Sequence, residues 1–327
     1  MNTTGWPVWF CRVHDRYLLE KDDALLCPGG EGYPIRNGIP RFVPDSKYAA
    51  AFGAQWKRYR VTQLDSYTGT TISQNRVQRC VGDALWNELA GKHILECGCG
   101  AGRFSEVLLS RGGHVTSIDL SDAVEANAEN CPQGERHRVA QADIMNLPFI
   151  AGQYDVVFCL GVIQHTPNPE ATIASLYEQV RPGGYLIIDH YRYTSALQLF
   201  TNIAPYYHLY FRRLPPEKGI TYTESLVKFF FPLHRMVHRI GGRSRIFARL
   251  LSRVSPVYCY YHTCPQLSDR LQFEWALLDT HDRLTSWYRH LRRREQIAMT
   301  LERLGLLDVY CIQGGNGIEA RGRRPPL

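Results

Sequence analysis

The chain has 327 residues, of which 44% are hydrophobic and 21% charged, and its ten cysteines are scattered along that length, which fits a reducing compartment better than a disulfide framework. It contains no uninterrupted apolar stretch of membrane-spanning length, and its start lacks the basic residues and apolar run of a secretory signal, so we predict a cytoplasmic protein. The formal net charge of +7 is concentrated in residues 192–264, where eleven Lys or Arg stand against two acidic residues, and such a block concerns partners rather than fold.

Residues 1–45 predict a small β module, because they are rich in Cys, Gly and Pro and have no long helical period. Three metal-binding side chains in this module have the C-x2-H and distant Cys layout of a zinc ribbon: Cys11, His14 and Cys27. Gly30 stands where a fourth ligand is expected, so either Glu31 or Asp15 substitutes for it. The alternative is a module without metal that apolar side chains stabilise. Any zinc here would be structural.

Residues 46–191 predict an α/β core. After helical patterning up to residue 91, short apolar runs alternate with helical patterns, which is typical of a parallel sheet covered by helices. The predicted strands are 93–97, 114–119, 136–142, 154–160 and 184–191. The predicted helices lie near 103–111, 122–130 and 169–180.

The stretch LECGCGAGRF, residues 95–104, follows the first of these strands and opens a helix. Glycines in such a turn let the backbone approach a ligand without a Cβ in the way. The spacing is E-x-G-x-G-x-G rather than the G-x-G-x-x-G of dinucleotide folds, and the P-loop lysine is absent. Cys97 and Cys99 make a poor metal site, because no second pair lies nearby, and we interpret them as packing and backbone-lining residues.

Two carboxylates follow the next strands. Asp119 ends the second strand, where it can accept hydrogen bonds from two ribose hydroxyls. Asp143 follows the third strand, where it can accept a hydrogen bond from an exocyclic amine beside apolar neighbours. Together with the glycine turn, these carboxylates predict a pocket for one adenosine.

On these motifs, residues 92–191 resemble class I S-adenosylmethionine-dependent methyltransferases of the small-molecule type, which carry a segment like GVIQHTPNPEATI after the fourth strand. Residues 1–45 are similar to zinc-ribbon-like modules that accompany such enzymes. The resemblance implies a Rossmann-like, seven-stranded, mostly parallel sheet that ends in an antiparallel hairpin, which residues 307–322 fit. A dinucleotide-binding domain or a decayed pocket is the alternative.

The resemblance also implies S-adenosylmethionine as the cofactor. It assigns Glu96 and Gly98 to the amino-acid end, Asp119 to the ribose, and Asp143 with Ile144 to the adenine. Further residues would line the same pocket: Cys99, Gly100, Leu120 and Leu160.

Two histidines are candidates for a general base. His165 follows the fourth strand at the mouth of the next helix, whose N-terminus disfavours the imidazolium and so keeps the ring base-competent. Its alternative is a structural role, in capping the helix or packing against the cofactor. His190, at the end of the fifth strand, is the second candidate.

Residues 192–276 predict a basic, helical, substrate-capping insert. Apolar residues fall on one face of a first helix, with Lys and Arg on the other: Leu226, Phe229, Phe230, Leu233, Val237 and Ile240. Pro232 should kink this helix. A second segment, residues 245–254, repeats the pattern. Such helices can lie on an anionic membrane surface or cover a lipid-bearing acceptor, and an ordinary helical cap packed on the sheet is the alternative.

Residues 277–327 complete the predicted core with a helix at 293–305, a strand at 307–313 and a last strand at 318–323. A polar cluster before that helix, outside any strong period, holds four candidate substrate residues: Asp279, Asp282, Tyr288 and His290. The similar proteins have an Asp-x-x-Asp segment at this place, and paired carboxylates suit sugar hydroxyls. A capped surface loop is the alternative.

The sequence therefore predicts O-methylation of a small-molecule, sugar or lipid-linked hydroxyl, by a cytoplasmic enzyme that is peripheral to the membrane if the insert binds lipid. An RNA methyltransferase and a non-catalytic cofactor-binding subunit are the rivals. The insert lacks an RNA-binding signature, since its arginines alternate with apolar residues, so nucleic acid is the minority prediction. The acceptor atom and the oligomeric state stay open.

Overall fold

The computed structural model describes residues 5–44, 47–193, 202–240 and 244–327. The chain divides into two compact units. The first, here called the sheet unit, comprises Met1–Ser46, Ser73–Tyr193 and Tyr288–Leu327; the second, the helical unit, comprises Lys47–Ile72 and Thr194–Trp287. The predicted domain bounds, which divide the chain along the sequence at residues 45, 191 and 276, stay a prediction.

Seven strands form the main sheet of the sheet unit: β7 (His93–Cys97), β8 (His114–Asp119), β9 (His137–Gln141), β10 (Tyr154–Cys159), β11 (Val180–His190), β12 (Leu307–Gly314) and β13 (Gly317–Arg323). Their order across the sheet is β12-β13-β11-β10-β7-β8-β9. All neighbours from β11 to β9 are parallel, whereas β13 pairs antiparallel with both β11 and β12. The predicted mostly parallel sheet with an antiparallel final hairpin is confirmed.

Buried apolar side chains define the inner strands, as expected for a sheet covered on both faces. In β7 and β8 every residue after the first histidine is buried except Asp119, which lies at the carboxyl end. Strand β11 begins four residues before the predicted start, because Val180 already pairs with Tyr154 ahead of an irregularity at the glycine pair. The carboxyl ends of these strands therefore bring the predicted polar residues to one edge.

Helices of the sheet unit lie between the strands much as the periodicity predicts. They are α3 (Ile72–Val81, whose first residue belongs to the helical unit), α4 (Asp83–Trp86), α5 (Arg103–Ser110), α6 (Ala123–Asn130), α7 (Pro169–Gln179) and α12 (Arg294–Arg303), with short 3-10 turns at Ile144–Asn146 and Ile163–His165. Asn168 caps α7 through a hydrogen bond from the Ala171 amide, and Pro169 occupies the first turn.

The N-terminal module folds as short antiparallel strands. They are β1 (Phe10–Cys11), β2 (Arg16–Tyr17), β3 (Leu19–Lys21), β4 (Ala24–Leu26), β5 (Gly32–Arg36) and β6 (Ile39–Pro40). Phe10 donates its amide to Pro148 O over 2.9 Å, and Phe42 donates to Gln141 O over 2.8 Å. The module is thereby attached to the β9 edge of the main sheet.

The helical unit contains a 3-10 turn at Lys47–Ala49 and these helices: α1 (Ala50–Arg58), α2 (Asp65–Thr68), α8 (Ala204–Phe211), α9 (Pro216–Arg239), α10 (Ser244–Val254) and α11 (Asp269–Thr285). Helix α9 continues through Pro232. None of the helices in the described ranges combines the length and hydropathy that crossing a bilayer requires.

Two features of this unit are not evident from the sequence. The predicted apolar face of α9 is not its buried face, which consists of Gly219, Thr223, Val227, Phe231 and His234; because this stripe mixes small and polar residues, an apolar period does not reveal it. Residues 277–285, which the sequence places outside any strong hydrophobic period, are the end of helix α11. That helix buries residues on several sides, including Leu277, Leu278 and His281, so it has no single apolar stripe.

Candidate active site

The glycine turn after β7 is shaped by backbone conformation and close packing. Gly98, Gly100 and Gly102 have φ values of 76°, 50° and 94°, a region that favours glycine. The amides of residues 98 and 99 donate to Ile118 O over 2.7 and 2.9 Å, which joins the turn to β8. A Cβ at residue 98 would lie 2.2 Å from Val162 Cγ2, so at this position a neighbouring side chain, besides any ligand, demands glycine.

Glu96 is a buried carboxylate at the end of β7. Its Oε2 accepts hydrogen bonds from the hydroxyls of Ser105 and Ser117. Its Oε1 is buried and accepts no hydrogen bond from any residue that the structure describes. Burial raises the pKa of Glu96 to about 7, against the lowering effect of the two serine hydrogen bonds. An unsatisfied buried carboxylate oxygen of this kind is suited to a cationic donor.

The Asp119 carboxylate, at the end of β8, accepts three hydrogen bonds from nearby residues of the chain. Its Oδ2 accepts the Gly100 amide over 3.0 Å, and its Oδ1 accepts the amide and hydroxyl of Ser121 over 2.8 and 2.7 Å. Burial raises its pKa against these hydrogen bonds. The carboxylate therefore fixes the glycine turn and retains acceptor capacity for a further donor.

The remaining predicted cofactor residues line the same edge of the sheet. Asp143 caps the 3-10 turn after β9, since its Oδ1 accepts the Met145 amide over 2.9 Å. Apolar neighbours are buried at the ends of β8, β9 and β10: Leu120, Ile144 and Leu160. Cys97 and Cys99 are buried, and desolvation raises their pKa values well above the usual range, so both thiols are protonated at neutral pH.

A buried ion pair lies at the carboxyl end of β11. Asp189 pairs with Arg76 of helix α3, accepts the Gly161 amide over 2.6 Å and accepts Asn316 Nδ2 over 3.3 Å. Burial alone would lower the pKa of the Arg76 guanidinium, but the charge of Asp189 raises it above the usual value. Asp189 is thus fully engaged in holding β10, β11 and the final hairpin together.

Three segments of the sheet unit converge around His165. Its Nδ1 lies 2.9 Å from Tyr288 O and must carry the hydrogen, so the neutral ring keeps the lone pair on Nε2. Tyr191 meets the imidazole edge to face at a centroid distance of 5.3 Å. The His290 amide donates to Gln164 O over 2.9 Å, and its ring stacks on Tyr288. The structure therefore brings together His165 and two of the four predicted substrate residues.

His190 is fully buried. Its Nδ1 donates to Tyr191 O over 2.9 Å, and its Nε2 has no hydrogen-bond partner in the described part of the chain. Burial lowers the pKa of His190 to about 4. Close to it, Arg292 forms a bidentate pair with Glu170, with contacts of 2.7 and 2.9 Å. With so low a pKa, the imidazole of His190 stays neutral at physiological pH.

The other two predicted substrate residues lie in helix α11 of the helical unit. Asp279 accepts Gln63 Nε2 over 3.2 Å and the hydroxyl of Tyr260. The carbonyl oxygen of Asp282 accepts the Ser286 amide at the end of the helix. Asp279 therefore has partners inside its own unit.

The candidate metal ligands of the N-terminal module do meet. The ligand atoms of Cys11, His14 and Cys27 all lie within 4.8 Å of one another. Glu31 joins them, with its Oε2 3.4 Å from Cys11 Sγ. No such contact joins Asp15 to the cluster among the described residues.

Sequence reasoning missed three residues of the site. Arg76 and Arg292 each come from segments outside the strand-to-helix turns, and a lone arginine gives no signal of a buried partner. Gln164 is fully buried, with both amide atoms lacking a hydrogen-bond partner among the described residues. A glutamine inside the apolar segment GVIQH was the available signal.

Part of this chain is similar to known proteins. Residues 95–188 match a family model described as a methyltransferase domain. A ubiquinone biosynthesis O-methyltransferase of Marinobacter nauticus is 36% identical over 126 residues, which are 37% of this chain and 53% of that protein. The enzyme of the same name from Aromatoleum aromaticum is 33% identical over 149 residues, 44% of this chain and 60% of that protein.

The chain thus spans between half and two thirds of the length of these curated relatives. Among solved structures, magnesium protoporphyrin IX methyltransferase from Synechocystis with bound SAH is 16% identical, with 85% of this chain and 97% of that chain covered and a TM-score of 0.46.

Proposed function

We propose that the chain transfers a methyl group from S-adenosylmethionine to a hydroxyl oxygen, in keeping with the methyltransferase-domain model that residues 95–188 match. The single observation that carries the proposal is the buried Glu96 carboxylate, with one unsatisfied oxygen, beside three glycines in left-handed conformation. This combination suits a cationic amino acid joined to an adenosine. The relatives named O-methyltransferases favour oxygen as the accepting atom.

In this proposal each end of the cofactor has its own residues. Glu96 Oε1 accepts a hydrogen bond from the α-ammonium group beside the Gly98 backbone. Asp119 accepts a ribose hydroxyl with its remaining lone pair, and the adenine lies against Ile144 and Leu160. Asp143 accepts a hydrogen bond from the exocyclic amine.

The reaction itself needs little beyond positioning. The bound sulfonium supplies an activated methyl group and a good leaving group. The acceptor oxygen forms the new C–O bond while the S–C bond breaks and its electron pair stays on sulfur, and the hydroxyl proton goes to a base. His165 is that base in our proposal, because its Nε2 keeps the lone pair while Nδ1 is held by Tyr288 O. His190, with its pKa lowered to about 4, serves as a neutral positioning residue.

Replacing His165 by Gln is expected to lower kcat by about 10²–10⁴, the usual size of a general-base contribution, and to leave cofactor affinity within a few fold. The measurement is transfer of labelled methyl to a phenol or alcohol acceptor. His114→Gln is the matched control, because His114 lies at the amino end of β8. Unchanged turnover in H165Q would remove the assignment.

For the acceptor, we propose a lipid-linked hydroxyl reached at an anionic membrane surface. Helix α9 and its C-cap residue Ile240 expose an apolar stripe at a spacing of four, three and four residues: Phe229, Leu233, Met236 and Ile240, the first and last more than 60% exposed. Helix α10 exposes Ile246, Phe247, Leu250 and Val254. Exposed cations stand beside both stripes, including Lys228, Arg249 and Arg253. Apolar stripes bordered by cations suit the surface of an anionic membrane, where the apolar side chains enter the acyl region and the cations meet the headgroups.

The sugar alternative has less support, since Asp279 is already engaged by Gln63 and Tyr260. RNA methylation would instead give RNA binding with a steep salt dependence, which filter binding across a salt series measures. A non-catalytic subunit would bind the cofactor without turnover.

Flotation with vesicles tests the membrane proposal. The wild type is expected to bind phosphatidylglycerol-containing vesicles at least tenfold better than pure phosphatidylcholine, and the double variant F229S/I240S should lose most of that binding, because each change removes a large exposed apolar side chain. V13S/L19S is the matched control, since Val13 and Leu19 are equally exposed in the N-terminal module. Equal binding by both double variants would contradict the proposal.

A further inference from the structure

The N-terminal module places four potential metal ligands from two turns around one point. Cys11 ends β1 and His14 lies in the turn that follows it, whereas Cys27 and Glu31 lie in the turn between β4 and β5. His14 Nδ1 lies 3.5 Å from Cys11 Sγ and 3.5 Å from Cys27 Sγ. Glu31 Oε2 lies 3.4 Å from Cys11 Sγ.

These separations are the edge lengths of a zinc tetrahedron. With Zn–S of about 2.3 Å and Zn–N or Zn–O of about 2.0–2.1 Å, tetrahedral angles put sulfur about 3.5 Å from the nitrogen or oxygen ligand. Three sulfur-to-nitrogen or sulfur-to-oxygen distances in this cluster, 3.5, 3.5 and 3.4 Å, agree with that value. Two sulfurs, an imidazole and a carboxylate also form a donor set that zinc accepts.

The surroundings are built to orient the ligands. The Tyr33 hydroxyl donates to Glu31 Oε2 over 2.8 Å, and the Gly29 amide points to Cys27 Sγ at 3.4 Å. A Cβ at residue 29 would lie 2.4 Å from His14 Cγ, so only glycine lets the ring occupy its place. Partners of this kind fix first-sphere ligands in metal sites.

We propose that this module binds one structural Zn²⁺ through Cys11, His14, Cys27 and Glu31, with Glu31 as the fourth ligand in place of the missing cysteine. The buried apolar core of the module is small, consisting of Cys11, Leu18, Leu25 and Cys27, so a metal would supply much of its stability. Because Trp9 stacks on Phe149 and Phe42 bonds to Gln141, the zinc also steadies residues 141–149 beside the proposed adenine site.

The test uses the full chain, with zinc content measured by mass spectrometry and the site probed by Co²⁺ absorption. We expect one zinc per chain, and cobalt bands of a tetrahedral site with two thiolates. E31Q should weaken zinc binding at least tenfold in a competition titration with a chelator. D15N is the matched control, because it removes the other carboxylate that could have been the fourth ligand. It should bind zinc as the wild type does, since no contact joins Asp15 to the cluster among the described residues.

Chelation supplies an independent readout. It should speed amide hydrogen exchange in residues 8–42 and, to a smaller extent, in 141–149, while the β7, β8 and β10 amides stay protected. The proposal is overturned if the protein retains no zinc after loading and dialysis, or if E31Q binds zinc as tightly as D15N does.

Discussion

Replacing Glu96 by Gln is expected to weaken S-adenosylmethionine binding roughly a hundredfold at pH 7.5. The carboxylate would lose a charge-assisted hydrogen bond to a cation in a buried site, an effect of about 1.5–3 kcal/mol. The amide keeps the shape of the side chain and can still face the two serine hydroxyls. Calorimetric titration measures the loss, and Glu88→Gln, an exposed site 69% accessible, is the control that should change nothing.

The pKa of Glu96, raised to about 7, gives this prediction two opposite pH dependences. Protonation removes the charge that holds the ammonium group, so wild-type affinity should fall roughly twentyfold from pH 7.5 to 5.5. Without ligand the sign is reversed. The native pKa lies above the unfolded value, so the native state binds the extra proton between about pH 4.5 and 7, and its stability relative to E96Q should rise as pH falls through that window. A pH-independent difference between wild type and E96Q in both measurements would contradict the role.

The second large effect concerns stability. Arg76→Met should lower the free energy of unfolding by about 3–5 kcal/mol, because it leaves the carboxylate of Asp189, 1% exposed, without its buried cation. The double variant R76M/D189N should recover part of the loss, since the amide needs no counter-ion. Urea unfolding measures both.

Arg181→Met is the comparison for a surface pair. Arg181 is bonded to Asp155 at 2.6 Å, but half of its side chain is exposed, so we expect a loss of no more than about 1 kcal/mol. Equal losses in the two single variants would show that Arg76 does not act as the partner of a buried charge.

Much of the fold could be predicted because the sheet unit follows local rules. Strands β7 and β8 have the predicted bounds, since each is an apolar run between a glycine or helix end and a polar carboxyl end. The helical unit follows them less well. Helix α11 is buried on several sides and shows no single apolar stripe. Helix α9 does show an apolar stripe, but that stripe is exposed, and the buried face contains Gly219, Thr223 and His234.

For the candidate site, sequence identifies residues that end strands but not their distant partners. Glu96 and Asp119 are visible because they stand at the ends of strands, Glu96 next to the glycine turn and Asp119 one strand further along the chain. Arg76 is 113 residues from Asp189, and the convergence of Tyr288 on His165 spans 123 residues, so only the folded chain reveals them. The same holds for Glu31. The spacing in the sequence did not decide between Glu31 and Asp15 as the fourth metal ligand, whereas in the folded chain the turn after β4 brings Glu31 to Cys11.

One titration tests the central claim most directly: calorimetry of the purified wild-type chain with S-adenosylmethionine and, in parallel, with NADH at pH 7.5. We predict saturable binding of the sulfonium at one site per chain and no saturable heat with the nicotinamide nucleotide. A flat trace with S-adenosylmethionine, or tighter binding of NADH, would contradict the account of the turn at residues 96–102.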